Sequence, residues 1–377
     1  MKYLFILGRN IELSVAEIKA FFRKNNLDFK QIGLVGNGLL VETKEQLPES
    51  SIDKLGGTVS IGEVLASGKA KDIFDELDKK AIYSVEEDKL NYAVYNFNGK
   101  DFADILLRLK QKFRKESLKA TEKKLSGNIK MQDGEFVPAI ASRKIDEQYF
   151  VFGDNFGRII EKTDYKALEG RDMKKPIRRN ELAISPRLAK ILINLSEVKE
   201  GDTLLDPFCG IGVILEEALL QNIKVAGIDK DKNAIEGAKK NLKWFGFKEW
   251  TDYILINDDS SGFHSSRISK VQGIATEPAL GKLQKSNPSP EDARKMVNKF
   301  EEMMIRVLKN LNGNVSGKIA FTAPLVFTNK GKFACNFERI SSSTKLKILE
   351  GPIHEYRDDS IVGRDIIVLS KLKYNNS

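Results

Sequence analysis

The chain reads as an α/β protein: a doubly wound domain with a mostly parallel sheet forms its C-terminal half, and a smaller α+β region precedes it. Three observations predict this. An apolar strand at Thr203-Leu204-Leu205, a turn at Asp206-Pro207-Phe208-Cys209-Gly210-Ile211-Gly212 and a helix from Val213 to Leu220 follow one another, the opening of such a domain. Strand and helix patterns then repeat downstream, with an acidic residue at four successive strand ends. Upstream, the elements are short and mixed, as in an α+β region.

Bulk properties exclude several classes. A chain of 377 residues suits two or three domains, and a 41% hydrophobic fraction supplies real cores. No stretch approaches the ~20 apolar residues of a membrane helix. The apolar start, Tyr3 to Leu7, is too short for a signal peptide and reads as a first strand. Cys209 and Cys335 lie far apart with no C-x-x-C, which argues against a disulfide framework or zinc and for a reducing cytoplasm. With only His264 and His354 as histidines, no metal centre is expected. A net charge of +9 and a pI near 9.2 permit a nucleic-acid partner.

The N-terminal region spans residues 1–165. Ser14-Val15-Ala16-Glu17 has the spacing of a capping box, with Ser14 as cap and Glu17 reaching back, opening a helix to about Asn25. Gly33–Val41 reads as one strand broken by glycines, Asp72–Lys79 as a short helix and Asn91–Phe97 as a strand. Asp101 is placed to cap a helix whose stripe is Phe102, Ile105, Leu106, Leu109 and Phe113, leaving Arg108, Lys112 and Lys115 outside it. Phe136–Ala141 and Gln148–Gly153 are expected to pair, with Pro138 marking an edge. Residues 166–182 are charged, contain Pro176 and lack periodicity, as a linker does.

The C-terminal domain spans 183–374. Ser185 and Pro186 open its first helix as N-cap and first residue. Strands follow at Thr203–Leu205, Lys224–Ile228, Tyr253–Ile256, Val271–Ala275 and Lys318–Phe321; Ser289-Pro290 opens a long helix to about Leu311. Leu346–Leu349 and Asp365–Leu369 fit a closing antiparallel pair.

The candidate site lies where doubly wound folds bind ligands, at the carboxyl ends of the strands. Asp206, Asp229, Asp258 and Glu277 fall there in order. Gly210 and Gly212 let the backbone approach a ligand, and the helix behind them offers free N–H groups. The strict G-x-G-x-x-G of dinucleotide sites is absent. The field of these acids suits a sulfonium cation better than a pyrophosphate. Asp229 is placed to accept two ribose hydroxyls, and Asp258 or its neighbour Asp259 an adenine amino group.

Asp206-Pro207-Phe208-Cys209-Gly210-Ile211-Gly212 resembles motif I of the class I, Rossmann-like methyltransferases that use S-adenosylmethionine. The start, Phe5-Ile6-Leu7-Gly8-Arg9-Asn10 with Glu12-Leu13-Ser14-Val15-Ala16-Glu17-Ile18, is similar to that of the archaeal tRNA guanine-N2-methyltransferases acting at position ten. Gly170-Arg171-Asp172-Met173, Lys175-Pro176 and Ser185-Pro186-Arg187-Leu188-Ala189 resemble their linker and entry helix. The resemblance implies a seven-stranded catalytic sheet, a ferredoxin-like plus THUMP-like RNA-binding region before it, a tRNA partner and methylation of a guanosine N2 amino group. An accessory subunit stays open. RNA-binding candidates are Arg108, Arg114, Lys115, Lys119, Lys123 and Lys124, then Arg171, Lys174, Lys175, Arg178 and Arg179.

Motif IV departs from the family. In place of Asp-Pro-Pro-Tyr stands Thr276-Glu277-Pro278-Ala279-Leu280-Gly281. Either Glu277 replaces the Asp, with Leu280 at the aromatic position, or Thr276 does, with Ala279 there. Thr276, Glu277 and Pro278 are the catalytic candidates. The missing aromatic keeps a catalytically degenerate RNA-binding member in view, and the acidic strand ends a DNA amino-methyltransferase.

Overall fold

The computed structural model describes every residue except 85–87, 125–126, 131–135, 140–144, 179–183, 282–285 and 372–377, and gives backbone alone for 127–130, 136–139 and 265. The chain divides into two compact units: residues 1–15, 27–53 and 57–163, and residues 16–26, 54–56 and 164–377.

The elements up to residue 163 are β1 (Lys2–Leu7), α1 (Ile11–Lys24), β2 (Phe29–Val35), β3 (Gly38–Thr43), α2 (Ser51–Lys54), β4 (Thr58–Ser67), α3 (Ala70–Lys79), β5 (Lys89–Phe97), α4 (Phe102–Lys115), β6 (Lys119–Glu122), β7 (Gly127–Lys130), β8 (Phe136–Ala139), β9 (Glu147–Phe152) and β10 (Asn155–Lys162). Eight of the strands form one sheet in the order β2-β3-β1-β4-β10-β9-β5-β6. Its pairs are antiparallel except β5–β6 and β5–β9. A ring-rich core of Tyr92, Phe113, Tyr149 and Phe156 receives the apolar stripes of α3 (Ile73, Leu77) and α4 (Ile105, Leu109, Phe113).

Four expectations are corrected here. The α1 cap is Asn10, not Ser14: Leu13 N–H donates to Asn10 Oδ1 at 3.1 Å. The Ser14 hydroxyl donates to the carbonyls of Asn10 and Gly57, and Glu17 accepts from Gly56 N–H at 2.7 Å and Asn194 Nδ2 at 2.9 Å. Tertiary partners thus take over a capping-box spacing. The segment 33–41 is not one strand but the end of β2, a turn at 36–37 and the start of β3, paired as a hairpin, with Gly36 at φ 53°, a left-handed position that glycine adopts without strain. Strand β8 pairs with β7 as a separate ribbon, while β9 pairs with β5 and β10. Lys112, expected outside the α4 stripe, is buried and ion-paired with Glu116 at 2.7 Å.

The later elements are α5 (Tyr165–Lys174), α6 (Pro186–Leu195), β11 (Thr203–Asp206), α7 (Val213–Leu219), β12 (Lys224–Asp229), α8 (Lys232–Trp244), β13 (Tyr253–Asn257), β14 (Gly273–Thr276), α9 (Pro290–Leu311), β15 (Lys318–Thr328), β16 (Gly331–Phe333), α10 (Phe337–Thr344), β17 (Leu346–Glu355) and β18 (Val362–Lys371). Seven strands form a sheet in the order β13-β12-β11-β14-β15-β18-β17, with β16 paired to β15. Strands β11 to β15 are parallel, and β18 runs antiparallel between β15 and β17. This is the seven-stranded, mostly parallel, Rossmann-like sheet that the sequence predicts. Strand order reverses at β11, so the ligand crevice belongs beside its carboxyl end. Ser185 and Ser289 cap α6 and α9, each with proline in the first turn. The expected linker is instead helical over α5, capped by Asp164.

Phe300, Met304, Val307 and Leu308 of α9 pack on Phe321, Ile367 and Leu369 of the sheet. The start of β14 is as tightly packed. A Cβ on Gly273 would lie 2.6 Å from Val198 Cγ2 and 2.9 Å from the Lys318 carbonyl oxygen. Gly273→Ala is expected to cost ~1–3 kcal/mol, read as a lower urea midpoint at unchanged slope.

Candidate active site at the carboxyl edge of the second sheet

The turn after β11 is held by its own backbone and by β12. Cys209 N–H donates to the Ile228 carbonyl at 3.0 Å, and Gly212 N–H to the Cys209 carbonyl at 2.8 Å. Gly212 sits at φ 92° as the N-cap of α7, and Gly210 at φ 53°. A side chain at either would be strained. Among the described residues nothing beyond its chain neighbours lies within 4 Å of the Cβ position of Gly210, which leaves this corner open. Asn241 of α8, fully buried, donates to the carbonyls of Ile211 and Ile177 and accepts from Ile177 N–H. It ties the turn to the chain entering the domain.

Two carboxylates meet at this corner. Asp206 is 2% exposed. Its Oδ1 accepts from Thr276 Oγ1 at 2.5 Å and Phe208 N–H at 3.0 Å. Burial pushes its carboxyl up to about 7, against the pull of those two donors and with the fields of Asp229 and Glu277 adding to the rise. Asp229, at the end of β12, accepts from Gly210 N–H through Oδ2 and from Asp231 N–H through Oδ1, both at 2.9 Å. Among the described residues neither carboxylate has a cationic partner. Each oxygen of Asp229 keeps a second lone pair. Two uncompensated acids beside an open glycine corner fit a ligand that brings both a cation and hydroxyl donors.

The remaining predicted residues occupy the same edge with different partners. Phe208 is half-buried against the core. Asp258 pairs with Arg267 at 2.7 Å and accepts from Asp259 N–H. Asp259 accepts from the Ser261 amide and hydroxyl, which hold its carboxyl below the usual range. Thr276 is fully buried, and its hydroxyl is spent on Asp206. It therefore orients a carboxylate rather than facing the open edge, a correction to its reading as catalytic. Pro278 is buried, Ala279 exposed, and Leu280 packs against the core.

Glu277 carries the surprise. Its Oε1 accepts from Arg364 Nε at 2.6 Å, and its Oε2 is buried with no hydrogen-bond partner among the described residues. Burial raises its carboxyl, opposed by the Arg364 charge and hydrogen bond. Sequence reasoning missed Arg364, which lies 87 positions away and in no motif.

The basic candidates separate by partner. Arg108 is paired with Asp78 and lies over the Phe74 ring. Lys119 pairs with Asp88 at 2.8 Å. Arg171 contacts Glu217, and Lys175, 1% exposed at its side chain, contacts Asp172 and Glu216. Burial pushes Glu216 up to about 8 against the pull of Lys175. Arg171 and Lys175 thus contact acids of α7, partners that the sequence did not suggest. Arg114, Lys115, Lys124, Lys174 and Arg178 are exposed and Lys123 half-exposed. Arg179 lies outside the described residues. Among the described residues no cluster of three metal-ligating side chains occurs, and no helix is long and apolar enough to cross a membrane.

Comparison with known proteins bears on this site. The RMKL-like methyltransferase domain model matches residues 177–323, which take in β11 to β14 and the first half of β15. The DNA methylase model matches residues 38–240, just over half of the chain. The tRNA (guanine(10)-N2)-dimethyltransferase of Methanothermobacter thermautotrophicus is 42% identical over 26% of this chain and 28% of its own. That of Pyrococcus abyssi is 32% identical over 44% of each. The probable tRNA (guanine(10)-N2)-dimethyltransferase of Methanothermococcus thermolithotrophicus is 38% identical over 25% of this chain and 60% of its own. The matched portions thus cover less than two thirds of each relative's length.

Proposed function

This chain belongs to the family described by the DNA methylase model, and from that and from the likeness of its matched portions to archaeal tRNA (guanine(10)-N2)-dimethyltransferases we propose that it methylates the exocyclic N2 amino group of a guanosine in tRNA. The observation that carries the reading is the pair of uncompensated carboxylates, Asp206 and Asp229, at the ends of β11 and β12, with Glu277 following the neighbouring β14.

S-adenosylmethionine supplies a methyl group already activated on its sulfonium. Asp206 faces the cationic amino-acid moiety, Asp229 accepts the ribose hydroxyls, Asp258 or Asp259 takes the adenine amino group, and Gly210 leaves the backbone open to contact. A guanine amino group is a weak nucleophile because its lone pair is delocalised into the ring. Glu277, with the backbone carbonyl near Pro278, holds the amino hydrogens and orients nitrogen toward the methyl group. Positioning of this kind is the main catalytic effect. Glu277 also takes the proton that leaves as the bond forms. The base enters the site out of its helix.

In the N-terminal unit the exposed charges Arg114, Lys115 and Lys124, with the half-exposed Lys123, form the RNA surface, in the cytoplasm. Changing all four to Glu is expected to weaken tRNA binding and flatten its salt dependence, by ~0.7–0.9 in log–log slope for each phosphate no longer neutralised. An unaltered slope in filter-binding titrations removes this patch from the interface.

The decisive assay incubates the chain with labelled S-adenosylmethionine and unmodified tRNA and maps the labelled nucleoside. Label in N2-methylguanosine is the expected result. Cofactor binding without label favours the degenerate RNA-binding reading, and label in DNA alone favours the DNA amino-methyltransferase.

A further inference from the structure

We propose that Arg364 is a positioning residue of the methyl-acceptor site: its guanidinium fixes Glu277 through Oε1 and so presents Oε2 to the amino group of the substrate base. The inference rests on the reaction proposed above and adds to it a residue from the far end of the chain.

The geometry is specific. Arg364 Nε lies 2.6 Å from Glu277 Oε1. A charge-assisted bond of that length restricts the carboxylate to one orientation. The other oxygen, Oε2, is buried and has no hydrogen-bond partner among the described residues. An unmet buried acceptor costs ~1–3 kcal/mol, so its persistence marks a place kept for an arriving donor. A base amino group is such a donor.

Strand order makes the contact. Arg364 stands on β18 opposite Pro324 of β15, and Thr276 stands on β14 opposite Phe321 of β15. The arginine therefore reaches across one strand to the end of the next. Its neighbour Asp365 turns to the other side of the sheet, where it holds His354 Nδ1 at 2.6 Å. Among the described residues, the charged groups bearing on Glu277 are Arg364 from β18 and, from β11, Asp206, whose carboxyl feels the Glu277 charge. An ionised Glu277 is the stronger acceptor for an amino group. Burial disfavours that charge, and Arg364 opposes the rise that burial causes.

The test uses the full-length chain in four forms: wild type, Arg364→Met, Arg364→Lys and Glu277→Gln. The Glu277 carboxyl is followed by carbon-13 NMR in glutamate-labelled protein, its signal identified by loss in Glu277→Gln. In Arg364→Met that signal should titrate at higher pH than in wild type. The acid limb of kcat should move up with it, with kcat at pH 7 down about tenfold or more and recovered in part at pH 9. KM for S-adenosylmethionine should stay within about twofold, and Arg364→Lys should lie between wild type and Arg364→Met. An Arg364→Met protein with the wild-type titration and acid limb overturns the proposal. So does an Arg364→Lys protein as impaired as Arg364→Met with no change in titration, which would make the pair a matter of packing. If wild type transfers no methyl group, the reaction reading fails. The NMR titration still decides whether Arg364 holds Glu277 ionised, and an unshifted signal then overturns this inference too.

Discussion

Asp229→Ala is expected to lower affinity for S-adenosylmethionine by on the order of 100-fold or more, measured by calorimetry. Two effects add. The ribose loses a charged acceptor for two hydroxyls, each such bond contributing ~1.5–3 kcal/mol, and ~1.4 kcal/mol is tenfold in affinity. Gly210 N–H and Asp231 N–H also lose the acceptor that fixes the turn against β12. Asp229→Asn separates the two, because an amide oxygen can still accept from one backbone N–H while the charge is gone. Affinity unchanged in the Ala variant, with thermal unfolding as in wild type, would remove Asp229 from the cofactor site.

The second large effect is a pH dependence set by Asp206. Its carboxyl lies near 7 because it is buried. Below that pH it is mostly neutral, and an arriving ammonium group must draw the proton off. Affinity for S-adenosylmethionine should therefore rise with pH, by up to about tenfold per unit, and level off above about 7. S-adenosylhomocysteine keeps the ammonium and lacks the sulfonium, so the same slope with both ligands assigns the effect to the amino-acid end. Asp206→Asn, which still accepts from Thr276, should bind weakly with a flat profile. A flat wild-type profile contradicts the assignment. The unliganded protein shows the opposite sign. A carboxyl raised in the fold binds more protons than in the unfolded chain, so Asp206 contributes stability that is full below about pH 4 and is lost as pH rises toward 7.

Much of this site is legible in the order of residues alone. Counting apolar runs places Asp206, Asp229, Asp258 and Glu277 at four carboxyl strand ends, and β11 to β14 end within a residue or two of them. Parallel strands buried on both faces read as continuous apolar segments. The motif I turn is equally clear, because its left-handed positions at Gly210 and Gly212 demand glycine. The basic clusters mislead. Lys112, Arg171 and Lys175 look like any surface cation in sequence, yet each contacts a carboxylate inside its own unit.

The sequence by itself determined what is local: the strand–turn–helix at residues 203–219, the serine–proline helix starts at 185 and 289, and the order of acids along the chain. These follow from steric limits and hydrogen-bond needs within a few residues. Tertiary structure alone decided which acid is oriented by which partner. Thr276 reaches Asp206 over 70 positions, and Arg364 reaches Glu277 over 87. Those pairings depend on the strand order β11-β14-β15-β18 and on a register that sends alternate residues to opposite faces, and neither is written in any short stretch of the chain.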